Sequence, residues 1–268
     1  MTFVHLTHLP HPHLRGALRR VSGFAEHTGQ PQLRTELPIP SVTLILGLGD
    51  PIRVSSSTGS GEFTSFLAGL HEIPVDTEHF GSFGCVQVDL SPLGAYRLLG
   101  RPMSELTDTV LGLDDLGLTD LAGRLIDIPG WPERFALLER TLGSRIADGP
   151  EVDHEVSWAW RELVRSGGTT PVNTLAAGSG WSRRHFTARF RRQVGLPPKA
   201  LAQVVRFRRA LELLATTPTI APVAAEAGYA DHSHLVREFR RLTGSPPSRL
   251  LTTPGEVAFV QDRAPAGS

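Results

Sequence analysis

The sequence predicts an α+β chain. A β-rich N-terminal domain with helices (1–148) precedes an all-α C-terminal domain (149–252), built from two helix-turn-helix units joined by a long helix; a flexible tail follows (253–268). The first observation behind this reading is a duplicated stretch. One copy runs Gly180-Trp181-Ser182-Arg183-Arg184-His185-Phe186-Thr187-Ala188-Arg189-Phe190-Arg191-Arg192-Gln193-Val194-Gly195, and the other Gly228-Tyr229-Ala230-Asp231-His232-Ser233-His234-Leu235-Val236-Arg237-Glu238-Phe239-Arg240-Arg241-Leu242-Thr243-Gly244. Each closes on Gly-x-Pro-Pro. Two copies are too few for a solenoid, which needs three or more, so the pattern suggests a reader with two probes. The second observation is charge. Net charge is zero over 268 residues, yet residues 169–251 carry 13 basic side chains against 4 acidic, while residues 1–168 are acidic on balance. Such a split points to a polyanion partner for the back half alone. The third is a change of hydrophobic period near Pro92, from strand-like to helical.

Residues 1–90 read as short strands broken by Gly and Pro. Residues 41–46 form a β-branched and aliphatic run ending at Gly47-Leu48-Gly49-Asp50-Pro51, residues 55–61 a loop, and residues 62–70 and 83–90 resume strand-like alternation. Strands at this spacing, with no helix between them, suggest a small barrel or sandwich. From Pro92, residues Leu93, Tyr96, Leu98 and Leu99 begin a short helix, and residues 113–128 read as a second. Pro132, suited to a first helical turn, opens a third with Phe135, Leu138, Leu142 and Ile146 on one stripe, as fit for core as for a dimer seam. After Asp148-Gly149-Pro150, a helix over 151–165 opens the basic domain.

In the first repeat, residues 172–177 form a short helix, Gly178 and Gly180 the turn, and Ser182 the N-cap of a second helix. In the second, residues 223–227 form the helix, Gly228 the turn, and Asp231 the N-cap. A helix, a Gly-containing turn and a second helix make a helix-turn-helix unit. Phe186 and Phe190, like Leu235 and Phe239, fall at i, i+4 and should pack inward, with Trp181 and Tyr229 in turn packing. The other face carries Arg183, Arg184, Thr187 and Arg191 in one copy, and Ser233, His234, Arg237 and Arg241 in the other. Donors near the front of a groove-sized helix suit base edges, and those further along suit phosphates. Between the copies, residues 199–216 predict a helix of roughly 27 Å at 1.5 Å per residue, buried through Leu201, Val204, Phe207, Leu211 and Leu214. Such a strut could hold the two probes near the ~34 Å that separates successive major grooves.

Residues 150–251 thereby resemble the AraC/XylS-type DNA-binding domain, whose second-unit motif stands here in Ile220-Ala221-Pro222-Val223-Ala224-Ala225-Glu226-Ala227-Gly228-Tyr229 through Gly244-Ser245-Pro246-Pro247. The resemblance implies a sequence-specific transcription regulator on double-stranded operator or promoter DNA. It implies that bases are met by Arg184 and Thr187 in the first recognition helix and by His232, Ser233 and Arg237 in the second. Ala188 departs from the pattern, since the family often has Arg there, and the neighbouring Arg189 is expected to reach a phosphate. In this family a β-rich N-terminal domain commonly senses a small molecule, dimerises, or does both. The string over 37–51, with Gly94-Ala95-Tyr96-Arg97-Leu98-Leu99-Gly100, is similar to cupin-like sensor domains. Expected partners are therefore DNA, a small-molecule effector, a second copy and, for an activator, RNA polymerase, in a cytoplasmic, nucleoid-associated protein.

Other chemistries are weighed against this. His5, His8, His11 and His13 could gather a metal, but Pro10 and Pro12 break any helix that would align them, and a flexible segment is expected. Gly47-x-Gly49 lacks the third glycine of a dinucleotide fingerprint, position 52 being Ile52. Cys85, the single cysteine, fits a buried inert thiol and excludes a disulfide within the chain. Helix-turn-helix units also occur in DNA-repair methyltransferases, but those need a zinc-held Cys cluster. No membrane span and no signal peptide is read, no cofactor or metal is expected, and no triad or carboxylate pair supports an enzyme. Two alternatives stand beside the regulator: a constitutive DNA binder whose front half only dimerises, and a small-molecule enzyme fused to a DNA-binding domain.

Overall fold

The computed structural model describes residues 3–56, 59–217 and 219–252. The tail expected over 253–268 lies outside the described residues. The N-terminal half is an antiparallel sheet of eight strands: β1 (Phe3–His8), β2 (Leu18–Glu36), β3 (Val42–Gly47), β4 (Ile52–Ser56), β5 (Gly59–Phe63), β6 (Phe66–Ala68), β7 (Val75–Leu90) and β8 (Val110–Gly112). Their order is β1-β2-β7-β3-β6-β8, with β4 pairing β5 and the far end of β7. The expectation of short strands is corrected here. β2 has 19 residues and β7 has 16, and they pair with each other from Leu18↔Leu90 to Glu36↔Val75. Register shifts between Leu18 and Arg20 and between Thr28 and Gln32 interrupt this ladder. Bulges of that kind bend a strand, so β7 serves β3 over residues 85–90 and β4 over residues 76–78.

The two-residue period then divides the sheet into two faces. Leu44, Leu46, Val86 and Val88 enter a core shared with helices, whereas Ile45, Phe83 and Cys85 join Phe24, Ile52, Val54 and Phe66 in a second cluster on the other face. Of the stretch expected as a loop over 55–61, residues 55–56 and 59–61 are instead paired strand, with Ser55↔Ser60 and Ser56↔Gly59 opposite each other, and residues 57–58 lie outside the described residues. The histidine-rich start is not a flexible segment: His5 and His8 lie in strand β1 on the edge beside β2, with His8 stacked on Phe135 at 4.8 Å and bonded to Glu139 at 3.1 Å, and His11 and His13 fall at a 3-10 turn over Pro12–Leu14.

Helices α1 (Pro92–Leu99), α2 (Thr119–Ile126) and α3 (Trp131–Ala147) follow. The helix expected over 113–128 is broken, because Gly117 takes a left-handed φ of 60° after a short 3-10 turn at Asp114–Leu116, and α2 starts only at Thr119. The stripe Phe135, Leu138, Leu142 and Ile146 on α3 is buried core. The remaining helices are α4 (His154–Arg165), α5 (Val172–Ser179), α6 (Arg183–Val194), α7 (Pro198–Thr216), α8 (Ile220–Glu226), α9 (His232–Thr243) and α10 (Pro247–Thr252). One core runs without interruption from the sheet through α1 and α3 into α4, α5, α6 and the first part of α7. A separate core unites the later part of α7 with α8 and α9, and Leu37, from the end of β2, is buried in it.

Candidate nucleic-acid interface

Each helix-turn-helix unit is fixed by local chemistry at its turn. In the first, Gly180 ends α5 with φ 71°, and the Ser182 side chain accepts a hydrogen bond from the His185 N–H at 3.3 Å, starting α6. In the second, Gly228 turns with φ 80°, and the Asp231 carboxylate accepts from the His234 N–H at 2.6 Å, starting α9. Side-chain oxygens at these positions satisfy donors that a helix start would leave open. A Cβ on Gly228 would sit 2.3 Å from the Thr169 methyl, so this turn needs glycine for space as well as for its left-handed backbone. Phe186, Phe190, Leu235 and Phe239 are buried, and Phe239 meets Phe207 of α7 edge to face at 4.8 Å. Trp181 and Tyr229 pack at the turns: Trp181 meets His185 edge to face, and the buried Tyr229 hydroxyl donates to Glu238 at 3.2 Å.

Aligning the copies on their N-caps pairs Ser182 with Asp231 and shows which side chains share a face. On α6 the exposed side holds Arg183, Arg184, Ala188, Arg191 and Arg192, with Thr187 half-buried at its margin. On α9 it holds His232, Ser233, Arg237, Arg240 and Arg241. Residue by residue, Arg184 corresponds to Ser233, Ala188 to Arg237, Arg191 to Arg240 and Arg192 to Arg241. Sequence reasoning singled out one arginine of each terminal pair and passed over Arg192 and Arg240, which are equally exposed. Anchoring on the caps would have found both. His234 differs from its neighbours. Its ring is half-buried, its Nδ1 accepts from the Ala230 N–H at 3.4 Å, and its Nε2 lies 3.7 Å from the buried Glu238 carboxylate. It braces the turn beneath the open face.

Arg189 also departs from expectation. Its guanidinium donates twice to Asp153, at 2.7 Å each, and ties α6 to the start of α4 instead of pointing outward. The hydrogen bond from Arg189 holds the Asp153 carboxyl below the usual carboxylate range. Glu238, at the equivalent place in α9, likewise faces inward. The strut α7 has 19 residues and buries Leu201, Val204, Phe207, Leu211 and Leu214. Nineteen residues rise roughly 28 Å.

The N-terminal half meets this assembly in several places. The Thr107 hydroxyl donates to the Gly195 carbonyl at 3.1 Å, beneath the end of α6. Arg241, on the open face of α9, forms an ion pair with Glu72 at 3.2 Å. A cavity of about 140 Å³ lies against the second face of the sheet, and Arg208 of α7 reaches its lining. Cys85 is in its wall, where burial pushes the thiol up to about 12, so it stays protonated and inert. No group of three His, Cys, Asp or Glu among the described residues is placed to hold a metal ion. No helix among them is long and apolar enough to cross a membrane.

Two short-turn helix pairs, each presenting a cation-lined second helix from one rigid strut, define a double helix-turn-helix protein. Residues 175–253 match the helix-turn-helix domain family, and residues 6–112 match a domain of unknown function, DUF6597. The chain is 31% identical over 86 residues to the HTH-type transcriptional regulator MtrA of Neisseria gonorrhoeae, covering 32% of this chain and 29% of that protein. It is 32% identical over 84 residues to the F1 operon positive regulatory protein of Yersinia pestis, covering 31% and 28%. The match thus spans less than a third of either regulator's length. A structure of ToxT from Vibrio cholerae, bound to (E)-4-(8-methylnaphthalen-1-yl)but-3-enoic acid, superposes with a TM-score of 0.50 at 13% identity, covering 86% of this chain and 97% of that one. The likeness to ToxT concerns the fold, a sheet-rich N-terminal region followed by a helical one. The chain thus carries a helix-turn-helix domain over residues 175–253, behind a β-rich N-terminal region.

Proposed function

We propose that this protein is a sequence-specific DNA-binding regulator of transcription that places α6 and α9 in adjacent major grooves, and whose β-rich N-terminal domain tunes that binding. The observation that carries this reading is the matched open face of the two helices, with Arg184, Arg191 and Arg192 on one and Arg237, Arg240 and Arg241 on the other. Around them we assign Arg183, Thr187, His232 and Ser233 to DNA contact, and His234 to bracing the turn. Residues 1–148 serve as the sensing and dimerising domain and residues 149–252 as the reader, working in the cytoplasm on nucleoid DNA, with RNA polymerase as a partner if the protein activates. Catalysis forms no part of this reading. Arg208 in the cavity lining and the pair Glu72–Arg241 support control of the reader by the front domain, because the first brings the strut α7 to the cavity on the sheet and the second joins a sheet-side group to α9. Control then amounts to a difference in effector affinity between DNA-competent and incompetent states.

The test is selection of bound sequences from a random duplex pool by the full chain, followed by fluorescence anisotropy at several salt concentrations. Affinity should fall steeply with salt, because phosphate neutralisation releases counterions, and the selected sites should hold two half-sites about one helical turn apart. Recovery of no preferred sequence would overturn sequence-specific reading.

A further inference from the structure

The cavity against the second face of the sheet holds a chemical specificity that can be read from its lining. At about 140 Å³ it is close to the roughly 150 Å³ at which an apolar protein cavity accepts a single benzene ring. Phe24, Ile45, Phe66 and Phe83 supply apolar wall. The polar part holds three arginines, but each already meets a carboxylate: Arg20 with Asp89 at 2.8 Å, Arg34 with Glu26 at 2.7 Å, and Arg208 with Glu212 at 3.0 Å. Glu36, at the end of β2, is a different case. It is half-buried, lines the cavity and forms no ion pair among the described residues, while the neighbouring Thr77 hydroxyl donates to the Arg34 carbonyl at 3.4 Å. Nearby, the buried Nε2 of His71 has no hydrogen-bond partner among the described residues. Burial keeps this imidazole below the usual histidine range, and does the same to His79, whose Nε2 lies 2.7 Å from the Glu26 carboxylate.

A pocket whose cations are matched, and whose remaining polar groups are a carboxyl and imidazoles, offers acceptors to an incoming molecule. An organic acid would add a negative charge beside Glu36, or would have to break an existing ion pair. An ammonium group supplies the missing partner, and aromatic walls favour a cation as well. We propose that this cavity binds a ring-sized organic amine, its ammonium group paired with the Glu36 carboxylate and its ring held by the apolar wall. As the identity of the effector, this rests on the reading that the front domain governs DNA binding. Burial pushes the Glu36 carboxyl up to about 7. Binding of the ammonium form therefore expels a proton from Glu36 at pH 6.5. Among the described residues, the other charged and titratable groups lining the space are Arg20 and Arg34 on β2, His5 on β1, His79 and Cys85 on β7, His71 beyond β6 and Arg208 on α7, with Glu26 and Asp89 behind the arginines.

The test compares three probes of one shape, benzylamine, benzyl alcohol and benzoate, on the full chain by thermal shift and titration calorimetry. Benzylamine should stabilise the protein and bind at least ten times more tightly than the other two. Glu36→Gln should remove that preference while leaving benzyl alcohol unchanged. Should Glu36→Gln fail to fold, wild-type titrations at pH 6.5 in buffers of different ionisation enthalpy should still show proton release with benzylamine alone. Tighter binding of benzoate, unchanged benzylamine binding in a folded Glu36→Gln, absent proton release, or no response to any probe would each overturn the proposal. DNA binding is measured separately on the same samples, so a failed ligand and a failed regulator give different results.

Discussion

The two reader units share a sequence pattern but not a situation. Helix α6 is built into the body of the protein: its core is continuous with α1, α3 and the sheet, Gly195 at its end receives the Thr107 hydroxyl, and Arg189 is locked to Asp153. Helix α9 belongs to a smaller core of its own, into which the front half contributes Leu37, with the surface pair Glu72–Arg241 beside it. The open faces differ in the same sense, since Ala188 stands where the second unit has Arg237. Duplication therefore produced one probe that is anchored and has an alanine at this mid-helix position, and another that carries an arginine there and is more separately held.

The largest test of this contrast is a cavity in each unit. Phe190→Ala and Phe239→Ala should each cost about 3–5 kcal/mol, the usual range for emptying a buried phenylalanine site. Phe190→Ala should lower the melting temperature of the whole chain, whereas Phe239→Ala should lose amide protection in α8 and α9 first. Uniform loss of protection in both would erase the distinction. Next, Arg237→Ala should weaken specific DNA binding by ~1–3 kcal/mol if it reads a base. Ala188→Arg should change the sequence preference of the first half-site, and binding-site selection with both variants checks the pair. Smaller still, Asp153→Asn should cost under about 1 kcal/mol, because the partner arginine is partly solvated. The contribution of this carboxylate is present above the ordinary carboxylate range and lost as pH falls through its lowered pKa. Acid unfolding of the two proteins should converge only below that range. The smallest effect is Glu72→Ala, which frees Arg241 from an exposed pair worth roughly 0.2–1 kcal/mol. It should strengthen DNA binding by no more than about fivefold, as anisotropy at low salt would show.

Much of the reader was legible in the residues. Capping oxygens, turn glycines and i, i+4 apolar pairs act over a few positions, so the bounds Arg183–Val194 follow directly from Ser182 and Gly195. Arg189 was not legible, because its partner Asp153 lies 36 residues away and only packing brings them together. The sheet was legible as a class but not in its lengths. Strand β2 runs through Gly23, Gly29 and Pro31, partly because Gly23 makes room for Trp131 and a register shift absorbs the stretch from Thr28 to Gln32. The cavity was illegible for the same reason: its lining is gathered from strands far apart in sequence.

Glu36 and Leu37 are consecutive, and both line the cavity, yet Leu37 is also a buried member of the second reader core. Cavity and core meet at this side chain. They share a wall one side chain thick. A guest that displaced Leu37 would thereby shift the footing on which α9 rests.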